Sequence, residues 1–378
     1  MRFVQALFTT IGLIALAEAA KHYLIVGTFS TNFLYTVEYD DAAETLKLVK
    51  NTTANAGSAW ITLSHDKKNL YGTDWNADEA SFVSYSLKDA KSIKYETRVF
   101  GDPECRGKKS NFVAAYPKAP YSVYGNYFYG DVHDAKCGMV MSVHDNGTLH
   151  AALQQYMYAD DSAVTGTSFS ADSQYLYSAD KVGNSIWVHN VTEKDGSLDF
   201  LSRVDMPVKG ADPRHVFAHP EGQYVYTVWE GTSQVAQLMT SDLGKLYLLQ
   251  QTYPLIKDGD QLSDFWAHDI ALSANNKYLW ASNSASNPNH KGYISAINVN
   301  DEGLLGDQLF LTHTTSGGGS SNAIAPSSFD DRIVAKTGNS TGFIEIWKMN
   351  DDKSGAKVVA HLDIDDGGGC CANAVWYS

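Results

Sequence analysis

The 378-residue chain is 44% hydrophobic and 19% charged, ordinary for a globular protein with a large buried core, and its formal net charge is −14. A nucleic-acid-binding surface needs clustered positive charge, so this balance excludes that class, and any anionic small molecule must be held by local cations against the overall field. Length alone allows two or three domains, so internal repetition has to decide the organisation.

In chain order the first element is MRFVQALFTTIGLIALAEAA, with a positive Arg2, an apolar run from about Ala6 to Ala17, and the small-x-small pattern Ala17-Glu18-Ala19. It reads as a secretory signal peptide over residues 1–19. Its unbroken apolar core, Ile11 to Ala17, falls short of the roughly 20 apolar residues of a membrane span, and no later stretch qualifies as one. Residues 20–378 are therefore expected to form a single secreted, extracellular domain, and removal of Arg2 with Glu18 leaves the net charge unchanged. Four sequons, at Asn51, Asn146, Asn190 and Asn339, fit that route as surface-loop glycosylation sites. Cys105 and Cys137 are expected to bridge two loops in an oxidising compartment, whereas the adjacent Cys370 and Cys371 either close a strained local ring or stay free.

After the signal, a short strand, a polar turn and an apolar-aromatic strand recur as ITLSHDKKNLYGTD (61–74), TSFSADSQYLYSAD (167–180), HVFAHPEGQYVYTV (215–228) and DIALSANNKYLWAS (269–282), with looser copies at 113–126 and 321–336. The apolar residue that follows each turn marks the period: Leu24, Leu70, Val123, Leu176, Val225, Leu279 and Ile333, spaced by 46 to 54 residues. That period suits a four-stranded propeller blade and exceeds most helical repeats. Between the markers lie segments with strand alternation, such as SIWVHNV (185–191) and FIEIWKM (343–349), separated by Gly, Asn and Asp turns. The expected fold is all-β, a single seven-bladed β-propeller over residues 20–378. Its ring would be closed by pairing ANAVWYS (372–378) with KHYLIVGTFSTNFLYTVEYD (21–40), which removes an open sheet edge. The glycine-rich TTSGGGSSNA (314–323) sits inside the period and reads as a blade-opening loop; a phosphate cradle would need a following helix, and none is expected.

Several segments in combination resemble the fungal carboxy-cis,cis-muconate cyclases of the propeller-lactonase group: LIVGTF (24–29), APYSVYGNYFY (119–129), QYLYSAD (174–180), DPRHVFAHPEGQYVY (212–226), GYISAINV (292–299), QLFLTHTTSGGGSSNAIAP (308–326) and NAVWY (373–377). The resemblance implies a lactonising isomerase that needs no metal or organic cofactor and closes a lactone by adding a substrate carboxylate across a conjugated double bond. It further implies a His, two Arg and a Glu in the central channel. Arginines would hold carboxylates and stabilise developing charge, and the His or Glu would supply a proton to carbon.

Carried onto this sequence, one Arg is Arg214 and the Glu is Glu230, but the His position holds Thr165 and the second Arg position holds Ser284. A hydroxyl has no pKa in the working range of an imidazole, and a serine cannot neutralise a carboxylate. The site expected from sequence is therefore Arg214, Glu230 and His268, the last because it opens a channel-facing strand in FWAHDIAL. Arg214 with Glu230 can equally be read as a buried pair that fixes two strands. Strand alternation would send the neighbouring His215 to the face opposite Arg214, and His219-Pro220 reads as turn. Trp60, Trp229 and Trp266 are candidates to line the channel or to fill the gaps between blades. Asp74, Asp180, Asn283 and Asn322 recur at strand ends with calcium-type oxygens, but the same spacing suits turn residues, and no metal site is assigned. The expected ligand is a small carboxylated or conjugated molecule, with no nucleic acid and no membrane span; oligomeric state is not legible. Two functional readings stand: a secreted cyclase or lactonase, including one for an exported secondary metabolite, or a secreted glycoprotein propeller without catalysis that binds a ligand or partner.

Overall fold

The computed structural model describes residues 20–106, 109–128, 136–241, 243–287, 290–317, 319 and 323–378. The expected signal peptide and Asn322 lie outside them. The described residues form seven four-stranded antiparallel sheets, with helical structure limited to the turns Pro103–Arg106 and Leu262–Asp264. No helix among them is long and apolar enough to cross a membrane. Six blades are contiguous in sequence, over residues 61–100, 109–157, 164–205, 213–254, 265–313 and 324–363. The first strands of neighbouring blades touch one another in a ring around the axis.

The seventh blade closes that ring. Its inner strand, Ala374–Trp376, pairs antiparallel with Lys21–Val26, placing Leu24 opposite Trp376 and Val26 opposite Ala374. The side chain of Asn373 then ties the closure to the next blade, accepting from the Ile61 backbone N–H at 2.8 Å and donating to its carbonyl at 3.2 Å.

All seven repeat markers fall on the second strand of a blade, and all are buried. A second strand has a neighbour on each edge and a blade against each face, so it is buried along its whole length, as in Asn69–Thr73. Outer strands such as Thr45–Thr53 are exposed or half-buried throughout. The polar turn between first and second strands recurs because its side chains bond locally: Asp172 Oδ1 accepts from Ser170 Oγ at 2.6 Å and from the Gln174 N–H at 3.0 Å, and Asp66 serves Ser64 and Lys68 in the same way.

All four cysteines are paired. Cys105–Cys137 joins the helical turn Pro103–Arg106 to the strand Cys137–Val143, and the adjacent Cys370–Cys371 pair is also a disulfide, buried beside Tyr35 and Ile344. Of the sequon asparagines, Asn146 and Asn339 occupy turns as expected, whereas Asn51 and Asn190 lie within strands. The glycine-rich segment runs from the outer strand Leu305–His313 of one blade to the inner strand Ile324–Pro326 of the next, which makes it a blade-opening loop.

Candidate functional site

Four consecutive inner strands carry the same irregularity near their start. Pairing with the second strand skips one residue between Ser110 and Phe112, between Val164 and Gly166, between Pro213 and His215, and between Ala267 and Asp269. The skipped residues are Asn111, Thr165, Arg214 and His268. A bulge leaves one residue out of the ladder and re-aims its side chain, and here all four turn into one cavity of about 360 Å³ at a mouth of the axial channel. Trp60, Ala323 and Asn373, each immediately before its blade's inner strand, complete a ring with one residue from every blade.

A second set comes from the ends of the second strands. Phe29, Trp75, Lys181 and Glu230 line the cavity, each five residues beyond its marker. The three residues singled out from sequence, Arg214, Glu230 and His268, are therefore brought together. Lys181 was missed, although its offset from Leu176 equals that of Glu230 from Val225. Ser284 shares this offset but stays out of the cavity, fully buried opposite Trp266 in the strand register.

Glu230 is the electrostatic centre of the wall. Arg214 Nη1 donates to its Oε2 at 2.5 Å and Lys181 Nζ to its Oε1 at 2.6 Å. Burial alone would raise the Glu230 carboxyl, but attraction to Arg214 and then to Lys181, with their hydrogen bonds, outweighs it and holds the group below the usual carboxylate range. Two cations against one anion leave this cluster with a net single positive charge. His268 is held well below the ordinary imidazole range, by burial first and then by the positive charges of Arg214, His215, Lys181 and Lys336, so it is neutral near pH 7. Its Nε2 is buried and has no hydrogen-bond partner among the described residues. The aromatic faces of Trp60, Trp75, Trp266 and Phe29 supply most of the remaining wall.

Thr165 is committed to structure. Its Oγ1 donates to the Arg214 carbonyl at 2.7 Å, across the gap between two blades, which pins the neighbouring bulge. Alternation had placed His215 away from Arg214, and this needs correction: both line the cavity, because the bulge at Arg214 breaks the two-residue period. His215 lies one layer deeper and also borders a second chamber of about 640 Å³ on the other side of the channel's waist.

Of the tryptophan candidates, Trp60 and Trp266 line the cavity, whereas Trp229 is buried in the interblade core with Val216 and Ala236. The strand-end oxygens bond internally. Asp180 accepts from Ser162, the Ala163 and Gly183 N–H groups and Trp187 Nε1; Asp74 pairs with Arg98; and Asn283 joins Leu255 to Tyr293. His219 belongs to the turn, its N–H bonded to the Tyr224 carbonyl.

The fold and this cavity define a closed seven-bladed propeller with an ion-paired, aromatic-walled cavity at one end of its axis. The chain belongs to the seven-bladed β-propeller lactonase family, whose sequence profile matches residues 23–305. It is 31% identical to the carboxy-cis,cis-muconate cyclase of Neurospora crassa over 94% of this chain and 99% of that one. Muconate cycloisomerase 1 of Cutaneotrichosporon cutaneum is 26% identical over 92% of this chain and 96% of that one. The periplasmic gluconolactonase of Pseudomonas aeruginosa shares the fold, with a TM-score of 0.79 at 17% identity over 95% of this chain and 99% of that one.

Proposed function

We propose that this chain is an exported, cofactor-free cyclase or lactonase that acts on a small conjugated carboxylic acid. The observation that carries this reading is the convergence of Arg214, Glu230, Lys181 and His268 on one cavity, two of the four, Arg214 and Glu230, at positions the resemblance to the cyclases marks. Arg214 and Lys181 would receive the substrate carboxylate, with Glu230 holding both cations in place through the cycle. The unpartnered Nε2 of His268 would bond a substrate oxygen, and Trp60, Trp75 and Trp266 would stack on the conjugated body. The one net positive charge of Arg214, Lys181 and Glu230, set against the Asp269 carboxylate that lines the same cavity, suits one carboxylate better than three. The preferred substrate would therefore carry fewer carboxylates than carboxymuconate.

A second reading, a glycoprotein propeller that binds such an acid without turning it over, is favoured by two features: Glu230 already engages both cations, and Thr165 is committed to the backbone. The loss of diene absorbance on mixing purified protein with muconate, carboxymuconate and related acids separates the two. Turnover by the wild type, reduced ~100-fold or more in Arg214→Ala, is the expected result. Binding without turnover, abolished by the same substitution, selects the second reading.

A further inference from the structure

The floor of the cavity contains a pair of residues to which no role has been attached. His215 Nδ1 and Asp269 Oδ1 lie 2.7 Å apart across the interface between two inner strands, both side chains almost fully buried. A carboxylate only accepts, so the bond is Nδ1–H to Asp269, and the other ring nitrogen is left for the cavity. Asp269 is itself fixed, Oδ1 accepting from the Ile270 N–H at 2.9 Å and Oδ2 from the Ile324 N–H at 3.0 Å, so it ties three inner-strand segments to one imidazole. The ring is clamped edge-on by Trp60 at 4.8 Å and Phe112 at 5.7 Å between centroids.

The position of the ring matters as much as its partner. A Cβ placed on Gly166 would come within 2.7 Å of His215 Cδ2, so the imidazole rests against the residue next to Thr165. It therefore borders position 165, where the resemblance to the cyclases implies a histidine. The other groups there are less suited to proton delivery: Thr165 is bonded to the Arg214 carbonyl, Glu230 is doubly ion-paired, and His268 Nε2 has no hydrogen-bond partner among the described residues to orient it.

We infer that His215, oriented by Asp269, is the proton-transfer residue of this cavity and takes over the task of the histidine that position 165 lacks. The inference rests on the cyclase reading. In ring closure, a substrate carboxylate oxygen bonds to the β-carbon of the conjugated double bond. The ring enters this step as the imidazolium, protonated at both nitrogens; the π pair moves onto the α-carbon and its conjugated carboxylate, and the Nε2 proton forms the new α-C–H bond, leaving the neutral Nδ1–H imidazole. The imidazole, still bonded through Nδ1–H to Asp269, then regains a proton from water. The net change is substrate plus one proton giving lactone. His215 is catalytic in this scheme and Asp269 is a positioning residue.

The test uses the full chain. On whichever conjugated acid the wild type turns over, His215→Gln is expected to lower kcat by ~10²- to 10⁴-fold with KM changed by less than about threefold. Asp269→Asn should show a smaller fall in kcat with the same unchanged KM, and added imidazole should restore part of the kcat of His215→Gly. A folded His215→Gln with kcat within about threefold of wild type overturns the inference. If His215→Gln does not fold, nitrogen-15 NMR of the wild type decides. A His215 ring protonated at Nδ1, whose Nε2 signal moves on titration with cis,cis-muconate, supports the assignment, and an Nε2 signal indifferent to it refutes it. Should the wild type turn over no acid, the cyclase reading fails by itself, and the same titration judges His215 separately.

Discussion

Gly166 shows how closely the floor of the cavity is fitted. An added methyl would meet His215 Cδ2 at 2.7 Å and the Arg214 carbonyl at 3.1 Å, and neither the ring nor the bulge backbone has room to retreat. Gly166→Ala is expected to lower the unfolding free energy by about 1–3 kcal/mol, as overpacking does, in denaturant titration. A second single-residue effect is electrostatic. Lys336 is fully buried, its Nζ without a hydrogen-bond partner among the described residues and 5.0 Å from the centroid of the Phe343 ring; burial pushes it from 10.5 down to about 8, against the pull of Glu345. Between pH 8 and 10.5 the unfolded chain thus binds more protons than the folded one, so stability rises with pH through that window, and below it the cost of burying the cation is felt in full. Lys336→Met should accordingly raise the unfolding free energy at pH 7 by up to about 3 kcal/mol, a gain that fades as the pH approaches 10.5. The sequence pointed to Arg214, Glu230 and His268 through motif position. Lys181 escaped notice because its importance lies in its contact with Glu230, 49 residues away, and Asp269, legible only as the neighbour of His268, gave no sign of its bond to His215 across 54 residues, since no local pattern encodes either contact.

The blade is the unit that the sequence displays best and the bulge the unit it hides. Second strands such as Tyr175–Asp180 are buried on both faces, so their apolar runs recur visibly and the count of seven follows. Leu176→Ala removes one such marker from the interface with Tyr124 and Trp187, and should cost about 2–5 kcal/mol in equilibrium unfolding. Inner strands such as Pro213–Ala218 are short, and one residue left out of the ladder does not alter the spacing between repeats. Their facing could not be read, which is why strict alternation misplaced His215. The site depends on that irregularity: without it, Asn111, Thr165, Arg214 and His268 would pair in the sheet and their side chains would not converge.

At the scale of the whole molecule, the charge of −14 opposes the entry of the anion that the cavity is proposed to receive. Salt screens that long-range repulsion while the partly buried Arg214 and Lys181 are screened less. Raising ionic strength from about 0.01 to 0.1 M should therefore increase kcat/KM for an anionic substrate, an effect read directly from initial rates. Closure bears on the order in which the site comes into being. Asn373 and Trp60 line the same cavity although 313 positions separate them, and Asn373 bonds the backbone of Ile61 on either side of its peptide. During synthesis the first six contiguous blades can pair their strands one after another as they emerge. The wall of the cavity, however, keeps a gap until residues 373–376 have been made and have slotted in beside Lys21–Val26. A nascent chain thus carries its ion cluster long before it carries an enclosed site, and competence for the ligand arrives in a single late event instead of growing with chain length.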